Sequence, residues 1–251
     1  MRRLLLVIGV VLGVGVMPAL AQETEEEDKE PVWKGSLGLS WVATSGNTDT
    51  SSAGLDFAIE RKPEPWGLAF AARGNTAQDS GVTTAENYFA VGRAVRTLGK
   101  RWETFGGLQW SKDPFANFDS QIVVSAGATY LAVESTRHKL TFDMGLAYTW
   151  EDQILEDPIP RVEEIAYGGG IFGVTWEWKL GEKSKLTERL MYYPNFDDSA
   201  DWRLTSVTAI EAAINSWLAL RFGYDLRHRN EPIGDADGTD TTSTASVVFN
   251  F

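Results

Sequence analysis

The chain contains no cysteine in 251 residues, which excludes disulfides and thiolate metal sites. Histidine occurs only twice, at His138 and His228, so imidazole-based proton transfer has few possible seats. Positive charge is also short: 23 Lys and Arg face 35 Asp and Glu, for a formal net charge of -12. A surface of that sign lacks the basic footprint that a phosphate backbone requires, and nucleic acid is not an expected partner. Long apolar runs are nearly absent. The one continuous stretch, Leu4 to Val16, is too short to cross ~30 Å of hydrocarbon as a helix. With no other candidate helix, a membrane form of this chain has to be a closed barrel.

What is present begins at that short run. Arg2 and Arg3 precede it, and Pro18 and Ala19-Leu20-Ala21 follow it. Charge, apolar core and a small-residue A-x-A site make residues 1–21 a secretory signal peptide, with cleavage expected after Ala21. No Cys follows the site, which excludes a lipoprotein anchor. Gln22 to Glu30 is almost entirely charged or polar, and residues 22–32 read as a disordered acidic lead on the periplasmic side.

From Trp33 onward the sequence breaks into short alternating segments separated by Gly, Pro, Asn and Asp clusters. The cleanest is Lys139 to Trp150: Leu140, Phe142, Met144, Leu146, Tyr148 and Trp150 share one face, and Thr141, Asp143, Gly145, Ala147 and Thr149 the other. Strict period two argues for a strand and against a helix. The last strand has one apolar face, Phe251, Phe249, Val247 and Ala245, and one more polar face, Asn250, Val248, Ser246 and Thr244. A strand that stops on a C-terminal Phe is how bacterial outer-membrane barrels usually finish, so Phe249 and Phe251 are the expected assembly signal. Twelve segments are expected, at roughly 33–45, 50–61, 66–76, 83–97, 102–111, 118–132, 139–150, 162–178, 185–193, 202–213, 217–228 and 240–251. Two are poorly phased: Ala85 to Arg96 can turn either Tyr88 or Phe89 outward, and Lys185 to Tyr193 carries Glu188 on one face and Arg189 on the other. The expected fold is all-β, a transmembrane antiparallel up-and-down barrel over residues 33–251.

Loop lengths and tryptophans test this register. With both ends periplasmic, the longer connections Glu151 to Arg161, Pro194 to Asp201 and Arg229 to Thr239 face outward. The short ones, such as Lys62-Pro63-Glu64-Pro65, face the periplasm. Trp33, Trp66, Trp102, Trp176, Trp178 and Trp217 fall near the periplasmic interface, and Trp110, Trp150 and Trp202 near the outer one. Amphipathic indole prefers the headgroup level, so two such belts fit a spanning barrel.

Trp33-Lys34-Gly35 leading to Ser45-Gly46-Asn47-Thr48, the Tyr192-Tyr193-Pro194 step, and Thr239-Asp240-Thr241-Thr242 before an aromatic terminus resemble the salt-induced outer-membrane protein family, also termed domain of unknown function 481. The resemblance covers about Trp33 to Phe251 and implies an outer-membrane barrel. It brings no agreed activity, ligand or catalytic residue.

The inner faces are expected to carry Asp56, Glu60, Arg73, Glu103, Asp143, Glu177, Arg203, Glu211, Arg221, Asp225 and Arg227. An Arg facing lipid at the midplane costs ~2–4 kcal/mol, which favours inward placement. These charges either pair and fill the interior or line a narrow pore. About eight strands give a filled barrel and ~16–18 a channel, so twelve does not decide between them. Acidic residues of the outer connections, Asp113, Glu151, Asp152, Glu156, Asp157, Asp197, Asp198, Asp201, Glu231, Asp235 and Asp237, read as cell-surface solvation, with divalent-cation binding that bridges to lipopolysaccharide as the sharper alternative. Asp235 to Asp240 lacks the spacing and terminal Glu of a calcium loop, so neither a metal nor a cofactor is expected. His138 reads as an exposed turn residue, and His228 as an outward rim residue near Asp225, Asp240 and Ser243.

These observations support a small passive pore or envelope-integrity protein rather than an enzyme. Its expected partners are outer-membrane lipid and lipopolysaccharide, the barrel assembly machinery, and small solutes if the lumen is open. A surface hydrolase requires His228 to face the lumen beside Asp or Ser. A soluble periplasmic binding barrel requires the Trp, Phe and Leu faces to close over an apolar cavity.

Overall fold

A computed structural model describes residues 33–44, 50–61, 65–155 and 161–251. The expected signal peptide and acidic lead, the Ser45-Gly46-Asn47-Thr48 segment, and Glu156 and Asp157 lie outside the described residues. Twelve strands follow one another: β1 Trp33–Thr44, β2 Thr50–Arg61, β3 Trp66–Asp79, β4 Val82–Thr97, β5 Trp102–Asp113, β6 Phe118–Glu134, β7 His138–Leu155, β8 Arg161–Lys179, β9 Ser184–Pro194, β10 Trp202–Ala213, β11 Leu218–Arg229 and β12 Thr239–Asn250. Each pairs antiparallel with its sequence neighbours, and β1 pairs with β12 to close the ring. One end of the barrel, the terminal end, carries the start of β1 and the end of β12, and the opposite one is the far end.

The alternation that forms the strands also sorts their faces, in the opposite sense to a water-soluble sheet. On β7, Phe142, Met144, Leu146, Tyr148 and Trp150 are exposed while Asp143, Thr149 and Glu151 are buried. Which face points inward is fixed by contacts between strands that are not neighbours. Arg73 on β3 pairs with Asp225 on β11, and Arg93 on β4 with Asp143 on β7. In a closed ring such contacts run only through the interior.

The two poorly phased segments resolve through their partners. Arg73 lies opposite Phe89 and Gly74 opposite Tyr88, so Phe89 points in and Tyr88 out. The pairing shifts between Ala77 and Gln78, a β-bulge that breaks strict alternation across the hairpin. On β9, Arg189 points in opposite Val207, and Glu188 points out opposite Thr208 and Trp176.

Two expectations are corrected. Glu151 to Leu155 is not the start of a loop, because β7 continues through Leu155, paired with Arg161 to Ile165. A polar run reads as a turn in sequence but is acceptable in a strand whose inner face is polar. His138 is not an exposed turn residue. It is the first residue of β7, half-buried, with its ring stacked on Trp176 and Trp178 at centroid distances of 6.0 and 5.7 Å.

Candidate functional site: the barrel interior and its far mouth

The interior divides into two sectors of different chemistry. Across β4 to β9 it is packed. Phe105 on β5, Ile171 on β8 and Met191 on β9 form a buried apolar cluster, with Val95 and Tyr193 against it. The Arg93 guanidinium lies 3.9 Å from the centre of the Phe105 ring. It also donates to the Asp143 carboxylate at 2.9 Å and to the Thr129 hydroxyl at 2.6 Å. Desolvated cations are favourable where a ring face and a carboxylate share them.

Across β1 to β3 and β12 the inner face carries small polar or side-chain-free positions: Gly38, Ser40, Gly54, Thr242, Thr244 and Ser246. A Cβ on Gly54 would stand 2.4 Å from Ser40 Oγ and 2.6 Å from Asn75 Oδ1. One long side chain crosses this sector. Arg73 donates from Nε to Asp56 at 2.6 Å and from an Nη to Asp225 on the far wall. The half-buried triad Asp56–Arg73–Asp225 spans the sector at mid-height.

All the charged positions expected on the inner face take inward register positions. Asp56, Arg73 and Asp225 meet in the triad, and Asp143 meets Arg93. Arg203 donates to Gln121 and to Thr149 Oγ1, the latter at 3.4 Å. Glu211 pairs with Lys185 at 3.5 Å. Arg221 lies opposite Glu211 and Ser246, and Glu103 opposite Thr97 and Thr129, both toward the terminal end.

Sequence reasoning missed the densest part, at the far mouth. Glu151 is only 1% exposed and accepts from Arg229 at 2.8 Å, from Gln153 at 2.7 Å and from Gln121. Arg229 also donates to Asp201 at 3.1 Å. Arg227 on β11 reaches Asp113 on β5 at 3.0 Å, and these strands are six apart in a ring of twelve. Asp113, Glu151 and Asp201 are therefore buried partners of arginines rather than solvating surface charges. A carboxylate taken from water is held only by such pairing. The signal in sequence is the cluster Arg227-His228-Arg229, whose alternate members point inward. The Tyr167 hydroxyl is buried beside this network and has no hydrogen-bond partner.

The outer face is apolar between two tryptophan belts. Trp33, Trp66, Trp102, Trp176, Trp178 and Trp217 lie toward the terminal end, and Trp110, Trp150 and Trp202 toward the far end. Trp41, 76% exposed on the outer face of β1, joins the far belt and is not among the expected residues. Glu188 departs from this apolar surface; its carboxylate accepts from the Ser206 and Thr208 hydroxyls at 2.8 and 2.5 Å. His228 also faces out, 2.7 Å from Thr239 Oγ1 and against the Trp202 ring. The inward His228 that a hydrolase requires is not what this barrel presents.

The terminal Phe251 is 65% exposed, and Phe249 stacks on Trp217 at 6.0 Å.

A closed, twelve-stranded, up-and-down barrel with charge inside and apolar side chains outside is the architecture of the outer-membrane barrels. Within it, the chain belongs to the family described as "Protein of unknown function, DUF481", which matches residues 37–251. It is 24% identical over 225 residues to the uncharacterized protein YdiY of Escherichia coli strain K12, covering 88% of this chain and 84% of that protein. Similar solved structures include the translocator domain of the autotransporter NalP from Neisseria meningitidis, with 10% identity, TM-score 0.49 and 89% of each chain covered. The NanC porin is 12% identical with TM-score 0.47, covering 86% of this chain and 97% of that one. The KdgM porin is 8% identical with TM-score 0.42, covering 88% and 98%.

Proposed function

We propose that the chain is a narrow passive pore of the bacterial outer membrane, with Arg73 as its constriction, exported by its signal peptide and without enzymatic activity. The observation that carries this reading is the Arg73 bridge to Asp56 and Asp225, drawn across a sector whose inner positions beside it, Gly38, Ser40, Gly54 and Thr244, are small. A barrel filled for stability alone places bulky side chains there, as the β4 to β9 sector does. The inverted sorting of faces supports the membrane setting, because exposed Leu, Phe and Trp between two indole belts are stable against lipid and costly against water. The mixed charges at the constriction favour small polar solutes over bulky or strongly charged ones. Lipid and lipopolysaccharide meet the outer face, and the assembly machinery reads the terminal Phe251.

The test is liposome swelling with the refolded mature protein and sugars of graded size. Entry of the smallest sugars, with a larger cut-off in Arg73→Ser, supports the reading. A folded protein that admits nothing in either form contradicts it. That result favours the second reading, a closed barrel with a role in envelope integrity, for which the packed Phe105–Ile171–Met191 cluster is the specific support.

A further inference from the structure

The connection between β11 and β12, residues 230–238, does not stand away from the rim. Ile233, at its tip, is 5% exposed, an unusual state for an apolar residue in a surface loop. Its carbonyl accepts a hydrogen bond from Asn117 Nδ2 at 2.8 Å, and Gly234 packs against the same amide. Asn117 closes the β5–β6 turn, on the opposite side of the ring. A contact between opposite rims runs across the mouth.

The rest of the loop is built as a folded unit. Ile233 O also accepts from Ala236 N at 3.2 Å, and Gly234 sits at φ 57°, in the left-handed region that favours glycine. Its base is tied by Arg229 N to Gly238 O at 2.8 Å. Asn230 donates to Ala200 O in the β9–β10 connection and to Trp202 O at the start of β10. Below the loop, Arg227 and Asp113 draw the same two walls together. The Asp113 carboxylate also accepts from Ala116 N and so shapes the turn that presents Asn117. The base is held by several bonds, whereas among the described residues the tip is held across the mouth by one amide hydrogen bond and one buried isoleucine. Such an element has low local stability at the tip and high stability at the hinge.

We propose that residues 230–238 form a latched lid over the far mouth, and that release of the Asn117–Ile233 contact opens the passage to the cell exterior. This rests on the pore reading above, and the test keeps the two apart.

Because the chain has no native Cys, Ile233→Cys places a single thiol under the lid. In the refolded barrel its reaction with a membrane-impermeant maleimide is expected to be slow, and at least tenfold faster when Asn117→Ala is added. Equal rates in the two proteins, with folding verified by heat-modifiable mobility, overturn the lid. A second measurement uses conductance. Asn117→Ala in the otherwise native chain is expected to raise the fraction of time spent open, with single-step size unchanged. An unchanged open fraction, in a protein whose step size does respond to Arg73→Ser, overturns the lid while leaving the pore intact. Faster labelling without conductance in any variant supports the lid and overturns the pore.

Discussion

Gly35 and Phe251 exchange both backbone hydrogen bonds, at 2.8 Å from Gly35 N to Phe251 O and 3.0 Å from Phe251 N to Gly35 O. The Phe251 ring occupies the place of a side chain on Gly35, where a Cβ would stand 2.4 Å from Cε2. The last residue of the chain thus closes the ring against its first strand, with the aromatic on the outer face.

Gly35→Val is accordingly expected to displace the exposed Phe251 ring and loosen the β1–β12 seam, at a cost of at most about 1 kcal/mol because the ring can swing aside. Gly92→Ala, also on the outer face but with open space around its Cβ, is the control and should be neutral. The fraction of heat-modifiable folded barrel after refolding measures both. Equal yields for the two variants contradict the closure described.

Arg229→Leu leaves Glu151 and Asp201 buried without their shared cation. Breaking a buried pair from one side costs about 3–5 kcal/mol, since an uncompensated charge remains. Tryptophan-monitored urea unfolding should show that loss, and the double variant Glu151→Leu/Arg229→Leu should recover part of it. A double variant no better than the single one contradicts the pairing account.

How much of this is legible in the sequence follows from what period two encodes. Alternation assigns a residue to a face, so the inward positions of Arg73, Asp143 and Arg221 and the outward Trp belts can be read directly. It says nothing about which residue meets which across the interior. The joining of Arg73 to Asp225, or of Arg227 to Asp113, depends on barrel closure and shear. Alternation also fails at bulges, which is why the phase of β4, and with it the role of Arg93, stays open in the sequence. Acidic residues at strand ends look alike whether they meet water or an arginine, so Glu151 and Asp113 read as surface charges. Their partners Arg229 and Arg227 lie more than 70 positions away in sequence.

Met191→Ala removes the side chain at the centre of the Phe105–Ile171–Met191 cluster. The expected cost is about 2–5 kcal/mol, the usual range for truncating a packed Met, Leu or Ile. Urea unfolding reads it. A change within about 0.5 kcal/mol, as expected for a surface site, would show that this sector is not packed as described.

Glu188 gives the opposite expectation. Its carboxylate sits on the outer face with two hydroxyl donors, so Glu188→Leu removes a polar group from an apolar surface and leaves hydroxyls that can bond their own backbone. Stability in lipid should be unchanged or higher, whereas Asp143→Leu, which strands Arg93 inside, should destabilise. Comparing the two by urea unfolding in the same vesicles checks the assignment of faces, and a reversed order would refute it.

The most direct test of the central claim is single-channel conductance of the refolded mature protein in a planar bilayer, with and without Arg73→Ser. The account predicts small discrete steps from the native chain and clearly larger steps from the variant, because removing one side chain opens the sector it crosses. Steps of identical size in both, or silence from both in fully folded protein, would contradict it.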